Sequence, residues 1–352
     1  MAEIQAGYKP IVIVDTVNLS EDEWLEYRRT GIGGSDVSAV LGVSPFITGR
    51  DLFYDKLKIV SAIDNDDNWV QKEIGHLLED LVAKIFQIKT GYRIYQIKKM
   101  FRHPIYPFMI ADVDYFVELS DGTTAILEIK TTNYNNKDKW FDGKNEIIPL
   151  NYEMQGRHYM CVMNLNRVYF CCLYGNNEKE IIIRHIDRDL QYESEMIFLE
   201  EDFWVNHIQA RVPPPYTENG DLILESVRRH IGTADPNAPE ILLNRNYEAN
   251  ITRFLELQEL KRELDNRVKA VDYQMNKIKG LIADAMGKTC YASCAVGGIP
   301  YQVTYNPVYR TGIEKDNLVR FKERHPDLYN EYVTVSESRR FSIKPREKEN
   351  AA

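Results

Sequence analysis

No stretch of this chain approaches the roughly 20 consecutive apolar residues that a bilayer-spanning helix requires. The first ten residues, MAEIQAGYKP, also hold no apolar segment of the kind that marks a secretion signal. We therefore expect a cytoplasmic protein. Cysteine is scarce as well, with only Cys161, Cys171, Cys172, Cys290 and Cys294 in 352 residues. That number and placement exclude a disulfide framework. Cys290 and Cys294 have no further His or Cys near enough to complete a zinc set, and an iron–sulfur cluster wants four thiolates, so we read all five as ordinary buried thiols. An overall excess of positive charge is missing too: 44 Lys and Arg stand against 53 Asp and Glu. Taken alone, that speaks against a nucleic-acid protein. The deficit is uneven, however, because residues 251–352 carry 18 basic and 14 acidic residues while the rest carry 26 and 39. An acidic half is compatible with DNA chemistry when metal ions screen the substrate, so charge decides nothing here.

What is present is an ordinary globular composition, 44% hydrophobic and 28% charged, in a chain long enough for one large domain and a smaller one. Ser20-Glu21-Asp22-Glu23 is a capping box opening a helix to about Arg29. Gly31-Ile32-Gly33-Gly34-Ser35-Asp36 is a turn leading into the short apolar segment Val37–Leu41. From Val70 to Lys89 apolar residues recur at helical spacing (Ile74, Leu77, Leu78, Leu81, Val82, Ile85, Phe86), and Gly91 ends the helix. Strand-like runs follow at Tyr92–Phe101, Pro107–Glu118 and Thr124–Thr131, with a hairpin turn at Ser120-Asp121-Gly122. Residues 150–163 read as a helix, Arg167–Tyr174 and Lys179–Ile186 as strands, and Gln191–Ala210 as a helix halted by Pro213-Pro214-Pro215. The order indicates an α/β core with a mixed sheet. We divide the chain into a catalytic domain over 1–212, a connector over 213–245 and a C-terminal α+β extension over 246–352. That extension holds a helix of about 60 Å at 1.5 Å per residue, Tyr247 to Met286. Its stripe Leu257, Leu260, Leu264, Val268, Val271, Met275, Ile278, Ile282 is a near-heptad and reads as a helix–helix interface. A small basic end, Arg339, Arg340, Lys344, Arg346 and Lys348, closes the chain.

The chemistry concentrates on the hairpin. Side chains alternate along a strand, so Glu128 and Lys130 share one face while Leu127 and Ile129 take the other. A hairpin can bring Asp114 alongside Glu128, and two such carboxylates hold Mg2+ or Mn2+ through hard oxygens. Lys130 beside them can orient or deprotonate an attacking water and stabilise negative charge. An isolated E-x-K is usually a surface charge pair; an upstream Asp on a hydrophobic strand favours the site reading. Glu79 lies along the edge of its helix's apolar stripe, whereas Asp80 reads as pairing outward with Lys84. A carboxylate facing a core needs a partner, either a metal and its water or an arginine. Gly33-Gly34-Ser35 entering a helix makes an anion site, with Arg28 and Arg29 just before it. Gln155 shares a helical stripe with Tyr152 and Tyr159 and by itself passes as a surface residue.

These residues, in this order, resemble the phage lambda exonuclease/YqaJ family of viral recombinases, a branch of the PD-(D/E)xK nucleases. The match spans about residues 20–190: Trp24-x3-Arg28-x6-Ser35, Gly75-x3-Glu79, Asp114, Glu128-x-Lys130 and Tyr152-x2-Gln155-x4-Met160. The resemblance implies a restriction-endonuclease-like core with helices flanking the sheet. It implies Mg2+-dependent 5′-to-3′ digestion of linear double-stranded DNA, leaving 3′ tails for homologous recombination in a bacterial host. It also implies a RecT-like single-strand annealing partner and a ring-shaped homo-oligomer, a trimer. Residue by residue, Asp114 and Glu128 become metal ligands, joined by the Ile129 carbonyl, with Glu79 a second-metal or water-mediated ligand. Lys130 becomes the water-activating base or charge stabiliser, Gln155 holds it or the nucleophile region, and Arg28 and Ser35 bind the 5′-terminal phosphate.

There are departures. The familiar Pro before the catalytic Asp is Val113 here, and Asp112 competes for part of the role given to Asp114. Residues 200–352 lie outside the lambda-type nuclease, and they bear on the ring. Two rivals stand beside the main reading: a RecB-like nuclease of different polarity, and a non-catalytic DNA-end or partner-binding module of the same fold.

Overall fold

The computed structural model describes residues 7–60, 69–232, 235–308 and 313–333. It separates into two compact units, Met1–Pro236 and Asn237–Ala352. No helix among the described residues is long and apolar enough to cross a membrane.

The first unit is a sheet held between helices. In chain order it runs β1 (Ile11–Asp15), α1 (Glu21–Arg28), α2 (Gly34–Val40), α3 (Gly49–Lys56), α4 (Trp69–Thr90), β2 (Arg93–Tyr95), β3 (Lys99–Arg102), β4 (Ile110–Asp112), β5 (Tyr115–Glu118) and β6 (Thr124–Thr131). After a 3-10 turn over Tyr134–Trp140 come β7 (Phe141–Asp142), β8 (Asn145–Glu146), α5 (Leu150–Met163), β9 (Arg167–Leu173), β10 (Ile181–Asp187), α6 (Leu190–Asp202) and α7 (Gly220–Ile231). The central sheet has the order β10-β9-β6-β5-β2. Its β6–β9 pair is parallel and the other pairs are antiparallel, so the sheet is mixed, as expected. One face packs Leu127, Tyr169 and Cys171 against Val82, Ala83 and Phe86 of α4. The other packs Phe116, Ile126, Val168 and Phe170 against Met154, Tyr159 and Met160 of α5. The period-two alternation of β6 thus sends its even residues toward α5 and its odd ones toward α4.

Two of the expected strands are each broken in two. The run 92–101 divides into β2 and β3, and the run 107–118 into β4 and β5. In both cases the chain leaves one sheet for another, because β3, between β1 and β4, pairs with both in a separate three-stranded sheet. The apolar pattern continues through 107–118, so nothing local marks the crossing. Asp114 falls at this corner, between Asp112 at the end of β4 and Tyr115 at the start of β5.

The long helix α4 starts and stops where its sequence indicates, with Gly91 at φ +73°. Its apolar stripe is only half used, however. Val82 and Phe86 are buried, whereas Ile74, Leu77 and Leu81 are exposed, Leu77 at 71%. The first half of α4 overhangs the sheet.

Within the first unit, the segment after the prolines packs against α3 through α7. There Ser226 Oγ meets Thr48 Oγ1 at 3.0 Å, and Arg229 donates to Asp51 at 2.7 Å.

The second unit consists of α8 (Glu248–Met286), the hairpin β11 (Tyr291–Val296) and β12 (Ile299–Thr304), α9 (Lys315–Arg324) and α10 (Pro326–Tyr332). The long helix forms over 39 residues, and its eight stripe residues are 42–61% exposed in the single chain. The basic end at Arg339, Arg340, Lys344, Arg346 and Lys348 lies outside the described residues. Of the cysteines, Cys161, Cys171 and Cys172 are buried thiols; Cys290 is half-buried and Cys294 exposed, against expectation. Residues 290–294 enter a two-stranded ribbon, whose faces a small unit cannot both cover.

Glycine sets the close approach of α5 to the sheet. A Cβ at Gly156 would lie 2.5 Å from Phe170 Cζ and 2.8 Å from Val168 Cγ1, both on β9. Gly156→Ala should overpack this contact and lower stability by about 1–3 kcal/mol. Calorimetry should then show a fall of the thermal midpoint by several degrees, at about 2–4 °C per kcal/mol for a unit of this size.

Candidate active site

A cavity of about 390 Å³ opens where the two sheets meet. Arg28, Ser35, Glu79, Asp112, Asp114 and Gln155 all line it, so residues 127 positions apart in the chain share one wall-to-wall space.

The floor is built from the hairpin. Tyr115 pairs with Leu127, which places Asp114 one step further, opposite Glu128. Asp114 Oδ2 accepts the Ile129 N–H at 2.8 Å, locking the carboxylate against β6. Glu128, 2% exposed, points toward α5 with Ile126. Its Oε1 accepts from Lys130 Nζ at 2.7 Å and from Gln155 Nε2 at 2.5 Å. Lys130 Nζ also donates to Gln155 Oε1 at 3.0 Å and lies 4.8 Å from the centre of the Tyr152 ring. Gln155, ordinary by pattern alone, is the hinge of the arrangement, since it bonds both motif residues. One atom is left over: Glu128 Oε2 is buried with no hydrogen-bond partner.

Electrostatics on the floor are strained. Burial raises the Asp114 carboxyl well above its usual range, and Glu128 close by adds to the rise. Burial raises Glu128 too, against the pull of Lys130. Glu79 enters from the overhanging half of α4, and burial together with Asp114 pushes it up to about 7. Asp112 is half-buried, and its Oδ2 accepts the Trp24 indole N–H at 2.7 Å. The break between β4 and β5 gives the two aspartates different partners, so Asp112 does not share Asp114's place beside β6.

Among the described residues no three His, Cys, Asp or Glu side chains converge tightly enough to enclose a metal ion. The set that fits is smaller: Asp114, Glu128 with its unpartnered oxygen, and the adjoining Ile129 carbonyl. Such a set suits Mg2+, which takes one or two carboxylates and keeps several waters.

The opposite wall carries the cations. Arg28 NH2 donates to Ser35 Oγ at 2.7 Å and to Asp36 Oδ1 at 2.8 Å, and its guanidinium sits 4.9 Å from the Trp24 ring centre. Arg28 and Ser35 thus meet at the cavity wall. Arg29 is not part of it; it turns away to Asp55 at 3.0 Å. Nor is the Gly33 N–H open to an anion, because Asp36 Oδ2 accepts it at 2.9 Å. Asp36 Oδ2 also accepts from buried Lys56 Nζ at 2.7 Å. Sequence reading passed over both residues. Asp36, three residues into a glycine turn, carried a capping signal, whereas Lys56 carried none. A Cβ at Gly34 would strike Tyr159 Cε1 at 2.5 Å, so this turn seats directly on α5.

Burial by itself would raise the Asp36 carboxyl, but Arg28 and Lys56 together hold it well below the usual carboxylate range. A half-buried arginine and a buried lysine share one carboxylate, and burial pushes the Lys56 ammonium down. A carboxyl depressed in the folded state stabilises fully above its unfolded value, about 3.9, and loses that contribution as pH falls below it. Asp36→Asn should therefore destabilise the chain by about 3–5 kcal/mol at neutral pH. Denaturant unfolding should show the gap to wild type narrowing below about pH 4.

The chain matches the model of the YqaJ-like viral recombinase domain over residues 23–166. It is 32% identical to YqaJ of Bacillus subtilis (strain 168) over 335 residues, 95% of this chain and 97% of that one. Among solved structures, it resembles an alkaline exonuclease from Laribacter hongkongensis in complex with dAMP (20% identity, TM-score 0.44, 54% of this chain and 94% of that one). It also resembles a phage-related exonuclease from Haemophilus somnus 129PT (13% identity, TM-score 0.38, 53% and 99%). Both structural likenesses are too distant to bear on function, and it is the sequence match, nearly end to end, that makes the chain a member of the YqaJ-like viral recombinase family.

Proposed function

We propose that the chain is a metal-dependent exonuclease that digests linear double-stranded DNA from its 5′ end, and that the Asp114–Glu128–Lys130 floor is its catalytic centre. The observation that carries this reading is Glu128 Oε2, buried and unpartnered just behind Asp114 and Gln155, which line the open cavity. Leaving a buried carboxylate oxygen unmet costs about 1–3 kcal/mol or more, a penalty that a divalent cation relieves.

Asp114, Glu128 and the Ile129 carbonyl would hold Mg2+, with Mn2+ as a substitute, and Glu79 would act through a bound water or on a second ion. The ion supplies Lewis-acid polarisation of the phosphate and an activated water. Lys130 faces two acceptor oxygens and an aromatic ring, surroundings that suit an ammonium. Its role is to stabilise charge that builds on the phosphate, rather than to take a proton. Gln155 keeps Lys130 and Glu128 in register. Arg28, stacked on Trp24 and anchored by Asp36, and Ser35 would take the terminal 5′ phosphate, which fixes polarity. Digestion in this direction leaves 3′ tails, the substrate of a single-strand annealing protein of the RecT kind in the host cytoplasm.

An end-labelled duplex digested in Mg2+ tests the whole reading. We expect 5′-phosphorylated linear duplex to be degraded from the 5′ end and EDTA to stop it. Asp114→Ala, Glu128→Ala and Lys130→Ala should each lose about 10²-fold or more in rate. Arg28→Ala should erase the preference for a 5′ phosphate over a 5′ hydroxyl. Intact duplex in both Mg2+ and Mn2+ would establish a binding module instead, and loss of the 3′ label first would establish the opposite polarity.

A further inference from the structure

Glu79 sits on an unsupported part of the molecule. Between Trp69 and Leu81 no side chain of α4 is buried, and the helix meets the sheet core only from Val82 onward, with Leu78 partly covered. A Cβ at Gly75 would lie 3.7 Å from Thr131 Oγ1, so the overhanging half passes close to the end of β6. Proximity of that kind sets a distance but not a rotation.

The next residue supplies the rotation. Asp80, expected to pair outward with Lys84, instead accepts a hydrogen bond from the Tyr115 hydroxyl at the head of β5. Tyr115 is buried in the same cluster as Val82 and Phe86. The pairing is therefore between neighbours: Glu79 and Asp80 on the helix, Asp114 and Tyr115 on the strand. Adjacent residues on a helix point about 100° apart, and on a strand they point to opposite faces. One member of each pair looks into the cavity while the other joins the two elements beside it.

We propose that Asp80 and Tyr115 are positioning residues, whose hydrogen bond holds the first half of α4 so that Glu79 stands over the metal-binding floor. This rests on the metal reading of that floor. When both are ionised, Glu79 and Asp114 repel each other across the cavity, and without a tie the overhanging helix would relieve that repulsion by moving outward. The Asp80–Tyr115 bond resists the movement. It matters most when the acids must converge.

Titration of Mn2+ into the metal-free full-length chain, followed by calorimetry, tests this without reference to turnover. Removing a partner that orients a ligand weakens metal binding about 10–100-fold, and that is the loss expected for both Tyr115→Phe and Asp80→Ala. Asp80→Asn, which keeps an acceptor oxygen, should bind close to wild type. The double variant should bind no worse than either single one, since both remove the same bond. Asp80 is exposed, so Asp80→Ala serves even if the tyrosine variant does not fold. Wild-type affinity in both single variants overturns the inference, and so does an additive loss in the double variant. If the wild-type chain itself binds no Mn2+, the metal reading of the floor fails first and the inference falls with it.

Discussion

Burying Glu128 on the α5 face of the central sheet is the constraint around which the site is arranged. A carboxylate in that position is stable only when its oxygens find donors or a cation. Lys130 and Gln155 together meet one oxygen, and each depends on further structure. Lys130 requires the face-sharing of β6, and Gln155 requires α5 to lie against β9 at a distance that only Gly156 permits. The second oxygen stays unmet, so the floor keeps an affinity that the protein does not satisfy by itself.

The second constraint is topological. Crossing from one sheet to the other at residues 113–114 frees Asp114 from the β4 ladder and sets it against β6. The same corner leaves Asp112 to Trp24, and Trp24 in turn stacks with Arg28. A chain of contacts therefore runs from the acidic floor to the cationic wall. Beyond Arg28 it continues through Asp36 to Lys56, so the cavity-lining guanidinium is held in a three-charge network. Preorganised charge of this kind does not have to reorganise when substrate arrives.

The second unit obeys different physics. Its long helix shows an apolar stripe along the whole length, yet those residues stay exposed. An exposed, regular stripe of that size is unusual for a single chain. Periodicity identified the helix; a heptad pattern states that a face is sticky, not what covers it. The same lesson applies to the first half of α4, where Ile74, Leu77 and Leu81 continue the helical period past the point where the sheet ends.

Much of the site was legible in the residues themselves. Strand alternation alone put Glu128 and Lys130 on one face, the Ser-Asp-Gly turn predicted the hairpin that sets Asp114 opposite Glu128, and the capping box at Ser20 placed α1 with Arg28 at its end. These are local rules, with periods of two or 3.6 residues or a turn of three, and local sequence suffices for them. What only the tertiary structure decided is longer in range. The break of one apolar run into β4 and β5 depends on pairing between distant strands, while the service of Lys56 to Asp36, the turning away of Arg29 and the bond from Asp80 to Tyr115 join residues 20 to 35 positions apart. No periodicity encodes them, because which partner a buried charge finds depends on how separate elements are stacked. The triad of Asp114, Glu128 and Lys130 came from the sequence; its unmet oxygen and the supports around it came from packing.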